Sequence, residues 1–293
     1  MKAASIKLLF IYIFLVSCVS NNQNEIKVIN LEKTEQQNLL PNNNDNETIY
    51  VAISTMISPV ETFNLYRDLI EYISKRLEKR IVFKQRKTYE EVNELLRLKQ
   101  LDFAFICTGA YWQAKKTFPI EILAVPVVNG RTDYNAYIIA NKFSGISNFY
   151  EFKNQTFAFT DPLSNTGYSY VKTLLKNNKT TPEKFFKKTI FTYAHDYSIQ
   201  AVAKNLVIGA SVDGLVYEYL KNFQPEKVQD VIVIQQSNDF VIPPFVVRPD
   251  LEINTKIKLK DIMLNMHNDQ QGKEILARIM IDKFIFVKED NYN

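Results

Sequence analysis

The chain has 293 residues, 46% of them apolar, with 36 basic against 32 acidic side chains and a formal net charge of +4. The apolar share supports a full hydrophobic core, and the small positive charge is spread along the chain rather than gathered into a stripe, which argues against a nucleic-acid partner. Its two cysteines and two histidines lie far apart and form no cluster of ligating residues, so neither a metal centre nor a cofactor is expected.

At the start of the chain, Lys2 and Lys7 flank an apolar run over 8–16 that is too short to cross a bilayer. Residues 1–17 therefore read as a signal peptide. The run ends in Leu15-Val16-Ser17-Cys18, which resembles a bacterial lipobox, so Cys18 is expected to become the lipidated N-terminus. Cys107 is then left alone, with no intrachain disulfide to form. Its apolar setting over 101–107 marks a small buried hydrophobe, the alternative being a catalytic thiol in an electropositive, accessible site. Residues 18–48, rich in Asn, Gln, Glu and Lys, read as the lipidated cysteine and a disordered tether.

Residues 49–54 read as a buried strand. Ser58-Pro59-Val60-Glu61 has the cap, first-turn proline and third-position glutamate of a helix start. In the helix that follows, Phe63, Tyr66, Ile70, Ile73 and Leu77 recur at three or four and make one buried face. Residues 81–84 form the next strand, Thr88-Tyr89-Glu90-Glu91 caps a second helix, and 101–107 is a third strand. This short-spaced alternation predicts right-handed crossovers and a mostly parallel sheet. Strands are expected at 122–128 and 137–140, and a second α/β unit follows. It comprises a strand at 156–159, a helix over 168–176, a helix started by Thr181-Pro182-Glu183, a strand at 190–193, a helix capped by Asp196, and strands at 207–210 and 231–235. Pro243-Pro244 forbids regular pairing before 245–247 resumes an extended run. Residues 261–280 read as helical with an interruption around 268–272. No linker rich in Gly, Ser or Pro separates the units, which predicts two lobes joined by strands.

Ligands of open α/β sheets sit beyond the carboxyl ends of strands. That rule selects the turns containing Met56-Ile57-Ser58, Thr108-Gly109-Ala110, Ser164-Asn165-Thr166-Gly167, His195-Asp196 and Asp213-Gly214. The set is rich in hydroxyls and backbone donors. Its sharpest member runs from 157 to 168, where an apolar run breaks into a polar turn and opens a helix. The first N–H groups of a helix lack intrahelical partners and carry partial positive charge, so they can seat an oxyanion. The same small polar residues also make an ordinary N-cap, and a lone histidine such as His195 also serves structural roles.

Several blocks together carry a family likeness: Tyr66-Arg67-Asp68-Leu69, the stretch from Gln85 to Asn93, Asp102-Phe103-Ala104-Phe105, Thr108-Gly109-Ala110-Tyr111, Phe157-Ala158-Phe159-Thr160-Asp161-Pro162, His195-Asp196, and the stretch from Val212 to Tyr219. From Tyr50 to about Ile285 the chain resembles the phosphate, phosphite and phosphonate binding proteins of ABC importers, the PhnD-like solute receptors. The resemblance implies a type II periplasmic binding fold, a clamshell of two α/β lobes, each a mostly parallel sheet flanked by helices. Residues 49–135 with 236–293 would form one lobe and 136–235 the other.

In that family a Ser-Thr-Ser-Gly type turn donates to phosphoryl oxygens. The corresponding residues are Ser164, Asn165, Thr166 and Gly167, with an amide in place of the middle hydroxyl. The family histidine falls on His195, its two pocket tyrosines on Tyr89 and Tyr134, and its aspartate on Asp213. Thr108 and Ile57 complete the expected binding set. Ungapped counting places the acidic residues that hold the amine of aminoalkylphosphonates at Leu215 and Pro243, neither of which can do so. The resemblance therefore implies a non-enzymatic, monomeric receptor in the bacterial cell envelope, extracytoplasmic and lipid-anchored. Its partners would be a small phosphorus oxyanion without an amine and a permease–ATPase complex. Two alternatives are a ligand-presenting module for a signalling receptor, and a hydrolase with His195 as base and Ser164 or Cys107 as nucleophile, although the chain lacks a nucleophile-elbow motif.

Overall fold

The computed structural model describes residues 48–292. The signal peptide, the lipidation of Cys18 and nearly all of the tether concern residues outside that range.

The first strands and helices follow the expected alternation: β1 (Thr48–Ile53), α1 (Pro59–Leu77), β2 (Arg80–Phe83), α2 (Tyr89–Arg97), β3 (Phe103–Phe105), α3 (Thr108–Thr117) and β4 (Glu121–Val127). A two-residue strand, β5 (Asp133–Tyr134), leads to β6 (Ala136–Asn141) and β7 (Thr156–Phe159). After these come α4 (Tyr170–Asn177), the short α5 (Pro182–Phe185), β8 (Lys188–Phe191), α6 (His195–Ala203), β9 (Gly209–Asp213), α7 (Gly214–Phe223) and β10 (Val231–Gln236). The chain returns through β11 (Phe240–Val241) to β12 (Phe245–Val247), α8 (Ile253–Asn265), α9 (Gln270–Arg278) and β13 (Lys283–Ile285).

The longer strands assemble into a six-stranded sheet, β13-β4-β12-β3-β1-β2, and a five-stranded sheet, β10-β6-β9-β7-β8. Both are mixed. β1 runs parallel to β2 and β3, and β7 runs parallel to β8 and β9, where helices make the crossovers. β12, by contrast, lies antiparallel between β3 and β4, and β6 lies antiparallel between β9 and β10. The reversals occur where the chain passes between sheets, since a strand arriving from the other sheet has no crossover helix to set its direction. The two passages pair with each other: β5 and β11 form a two-stranded antiparallel ribbon, with Tyr134 opposite Phe240.

Burial on both faces explains the near-continuous apolar runs. Val51, Ala52, Ile53, Phe103, Ala104 and Phe105 are all buried in the core of the first sheet. In the second sheet Ile139 packs with α6 and α7, while Ile138 and Ala140 point to the opposite face and pack on Phe149, Phe152 and Phe157. The strand period of two thus serves two cores.

Three local expectations need correction. Where a turn is expected at Thr108-Gly109-Ala110 the chain forms α3, whose N-cap Cys107 makes no side-chain cap and so leaves no sequence signal. Ser58 stands at the N-cap of α1 without capping through its hydroxyl; its own backbone N–H donates instead to Asp196 Oδ1 at 2.8 Å. Asp196 is correspondingly not the cap of α6, a position held by Ala194. At α2 the expected capping box forms, with Thr88 and Glu91 bonding reciprocally.

Candidate functional site

The carboxyl ends of β1, β7 and β9 and the starts of α2 and α6 surround one buried polar region. Beyond β7 the chain turns at Asp161, whose Oδ1 accepts from Leu163 N at 2.8 Å and whose carbonyl accepts from Ser164 N at 2.9 Å. Ser164 Oγ then accepts from Gly167 N at 2.9 Å and caps a single π-helical turn, Asn165–Ser169, that feeds α4. Gly167 is required by space, since a Cβ there would stand 2.6 Å from Thr160 Oγ1. Ser211 on β9 donates to the Thr166 carbonyl at 2.5 Å and ties the turn to the sheet. Thr166 Oγ1 is buried and has no hydrogen-bond partner.

His195 opens α6 after Tyr193, which takes the left-handed conformation, φ 62°, to redirect the chain. Its ring is buried, with Nδ1 3.0 Å from Asp213 N and 3.0 Å from Thr160 Oγ1. A backbone N–H can only donate, so Nδ1 carries the lone pair and, in the neutral ring, Nε2 carries the proton. Burial pushes the imidazole down to about 3, which keeps it neutral. Nε2 has no partner.

Tyr89, at the first position of α2, and Tyr134, in the crossover ribbon, are likewise buried with unpartnered hydroxyls. Burial raises both phenols well above their ordinary range, and the neighbouring Cys107 and Asp213 add to the effect at each. Ser54 Oγ, at the end of β1, is a further buried hydroxyl without a partner. Each such group costs about 1–3 kcal/mol when left unpaired. Tyr89 and Tyr134 both lie near Cys107 and Asp213, and His195 is bonded to Asp213 N, so these groups border one region, as does the unpartnered acceptor Asp196 Oδ2.

Asp213 borders this region. Its Oδ1 accepts from Leu215 N at 2.8 Å as the cap of α7, and burial pushes the carboxyl up to about 7. The remaining expected residues have other roles. Thr108 Oγ1 donates to the Val241 carbonyl at 2.7 Å, which engages it with the ribbon. Asn165 is half-buried, and its backbone N–H, with that of Gly109, is directed at the Cys107 thiol. Burial outweighs these donors and pushes that thiol up to about 11. Ile57 lines an apolar cleft next to Asp213. Ser164 and Gly167 thus build the turn, while Thr166, His195, Tyr89 and Tyr134 present the free polar atoms.

Two carboxylates fasten the sheets across this site. Asp196 Oδ1 accepts from Ser58 N at the start of α1, and Asp161 Oδ2 accepts from Tyr89 N at the start of α2, at 3.1 Å. Each negative group thereby meets the positive end of a helix. His195 N also donates to the Met56 carbonyl at 2.9 Å. The start of α3 lies against the turn so closely that a Cβ on Gly109 would come within 2.2 Å of the Leu163 carbonyl oxygen. Sequence reasoning missed Ser54, although the strand-end rule passes through it, and missed the two carboxylates, which it read only as local turn or cap residues.

Comparison with known proteins gives the family and the fold. The family model for the ABC transporter, phosphonate, periplasmic substrate-binding protein matches residues 51–292. The phosphonates-binding periplasmic protein of Escherichia coli (strain K12) is 28% identical over 200 residues, 65% of this chain, and the match spans 58% of that relative's length. A binding protein component of an ABC phosphonate transporter from Pseudomonas aeruginosa superposes with a TM-score of 0.79 at 26% identity, covering 84% of this chain and 83% of its own. A PhnD-type protein of Prochlorococcus marinus (MIT 9301) in complex with methylphosphonate shares the fold, with a TM-score of 0.77 at 18% identity over 84% of this chain and 95% of its own. Matched over residues 51–292 and sharing this two-sheet framework, the chain belongs to the family of periplasmic substrate-binding proteins of phosphonate ABC transporters.

Proposed function

We propose that this chain is the solute receptor of an ABC importer and binds a phosphorus oxyanion between two lobes, 49–135 with 236–293 and 136–235. The observation that carries the proposal is the group of buried donors without partners: Thr166 Oγ1, His195 Nε2 and the hydroxyls of Tyr89 and Tyr134. A phosphonyl head supplies acceptors to all of them at once. The β5–β11 ribbon would serve as the hinge, because it contains both passages of the chain between the sheets. Leu215 and Pro243, the positions expected to carry acids in a receptor for aminoalkyl ligands, line the adjoining cleft as apolar side chains, which supports a ligand without an amine.

Binding rather than turnover fits the tautomer of His195. With Nδ1 occupied by the Asp213 N–H and the proton on Nε2, the imidazole offers the site a donor and no basic lone pair. The Ser164 hydroxyl oxygen is engaged by Gly167 N–H, and the Cys107 thiol is held protonated. Turnover of model phosphate or carboxylate esters by the purified chain would refute this reading.

Lipidation of Cys18 would hold the receptor at the extracytoplasmic face of the membrane, beside its permease. Metabolic labelling with a fatty acid should mark the chain and spare Cys18→Ser; equal labelling of both would exclude the anchor. The ligand reading is tested by calorimetry with phosphate, phosphite, methylphosphonate, aminoethylphosphonate and sulfate. A phosphorus oxyanion should bind, with aminoethylphosphonate weaker than methylphosphonate. If only sulfate binds, or nothing does, the phosphorus assignment falls.

A further inference from the structure

Asp213 joins two unlike regions. Its backbone N–H holds His195 in the polar seat, while the residue also borders a cleft whose other walls are chiefly apolar. Leu215 comes to that cleft from α7 beside the second sheet. Met56, Tyr66, Phe105, Pro243 and Ile281 come from elements on the side of the first. Because the walls come from both sides, closure around a guest would remove its apolar surface from water together with theirs.

We propose that this cleft receives an uncharged apolar group carried on phosphorus, so that the preferred ligand is an organophosphonate with a tail of several carbons or an aryl ring. The inference rests on the phosphorus-oxyanion reading of the adjoining seat and extends it from the head group to the substituent. The lining supports an apolar tail over a charged one. Asp213 is the one carboxylate among the lining residues, and its Oδ1 already accepts from Leu215 N. The Thr62 hydroxyl in the same wall donates to the Ile57 carbonyl at 2.7 Å, which leaves Ser54 Oγ and the phenol hydroxyls of Tyr66 and Tyr219 as the other polar side-chain groups of the lining. An ammonium needs several acceptors when it leaves water, and this wall is poor in them. A chain of methylenes needs only contact area. With its oxygens at Thr166, His195, Tyr89 and Tyr134, a phosphonate would direct its carbon substituent past Asp213 into this space.

The test is calorimetric titration of the full chain, purified in detergent, with methyl-, ethyl-, n-propyl-, n-butyl- and phenylphosphonate and with 3-aminopropylphosphonate. Affinity should rise about threefold to fourfold per added methylene, the fold-change that corresponds to burying one such group. The 3-aminopropyl ligand, matching n-butyl in size, should bind at least tenfold more weakly than n-butyl. In Leu215→Glu, where an acidic side chain suits the first turn of α7, the order of these two ligands should reverse, while the added negative charge weakens all the uncharged-tail phosphonates together. Circular dichroism and the melting temperature of the variant report its fold. Methylphosphonate binding with no gain along the series, or tighter binding of the amine, would overturn the tail assignment and leave the seat standing. Failure of every phosphonate to bind would overturn the seat reading and the tail with it. If Leu215→Glu does not fold, the alkyl series decides alone.

Discussion

Two sets of buried polar groups meet at the cleft, and they are treated in opposite ways. Asp161 and Asp196 are buried carboxylates, each accepting from a backbone N–H at the start of a helix beside the other sheet, with Asp196 Oδ2 left unpartnered. Thr166 Oγ1, His195 Nε2 and the hydroxyls of Tyr89 and Tyr134 are buried as deeply and have no partner at all. A folded chain does not leave such donors idle without a reason, because each costs free energy while it is unpaired. The paired set joins the two halves, and in the proposed reading the unpaired set would receive the guest. Mutations in the first should alter closure and release. Mutations in the second should alter ligand affinity while leaving the empty protein as stable as before, or more so.

The strongest way to break the contrast is Gly109→Ala. A Cβ there would stand 2.2 Å from the Leu163 carbonyl oxygen, a backbone atom, so the approach of α3 to the Ser164 turn cannot persist unchanged. Ligand affinity should fall by roughly a hundredfold or more if binding requires that approach, and the change in melting temperature reports what the approach contributes to the empty protein. Retained affinity would show that the contact is not needed for closure. Asp196→Ala should come next. It removes a charged acceptor that spans the two sheets, worth about 1.5–3 kcal/mol, and should appear in stopped-flow binding as a faster off-rate with a largely unchanged on-rate.

Thr166→Ala and Ser164→Ala separate two roles within one turn. Thr166→Ala should lose about 1–3 kcal/mol of oxyanion affinity, the cost of a hydrogen bond to a charged group, with no loss of stability. Ser164→Ala should lose about 1 kcal/mol of stability, because the Gly167 N–H loses its cap, and a smaller part of the affinity. Calorimetry together with denaturant unfolding of each variant measures both quantities, and an exchange of the two patterns would invert the roles assigned here.

The smallest expected effect is in pH dependence. Burial holds the Asp213 carboxyl at about 7, so below that pH it is neutral beside the seat, and above it a negative charge opposes the ligand. Affinity should therefore decline as pH rises through about 7, and Asp213→Asn should flatten that decline. Stability carries two opposing slopes. The folded carboxyl keeps its proton from 3.8 up to about 7 while the unfolded one has lost it, so its contribution to stability falls as pH rises through that window. His195 is the reverse. Its folded pKa of about 3 lies below 6.5, the unfolded chain takes up the proton first, and stability falls as pH drops through that range. The two slopes offset where the windows overlap, and Asp213→Asn should expose the histidine term as stability that rises with pH. An unchanged profile in that variant would deny the carboxyl its elevated pKa.

Much of this molecule is legible in its sequence, for reasons that are local. The apolar periodicity of α1, the Thr88–Glu91 capping box of α2, the interruption between α8 and α9 and the break at Pro243-Pro244 all arise from steric and hydrogen-bonding rules acting over a few residues. The strand-end rule likewise leads to the Ser164 turn, His195 and Asp213. Those rules do not say where a side chain finds a partner a hundred residues away. Ser58 and Asp196 each have the composition of a helix cap, yet the bond that forms joins them to each other across 138 positions. Thr108 and Thr166 are both threonines in expected turns, yet one is engaged by the ribbon and the other is left free. Local rules within the chain set the α/β elements, the order in which they alternate and the turns at the strand ends. Which buried donors remain unpaired, and that an apolar cleft adjoins them at Asp213, follows from the folded arrangement alone, because pairing and exclusion of water depend on what the opposite sheet brings near.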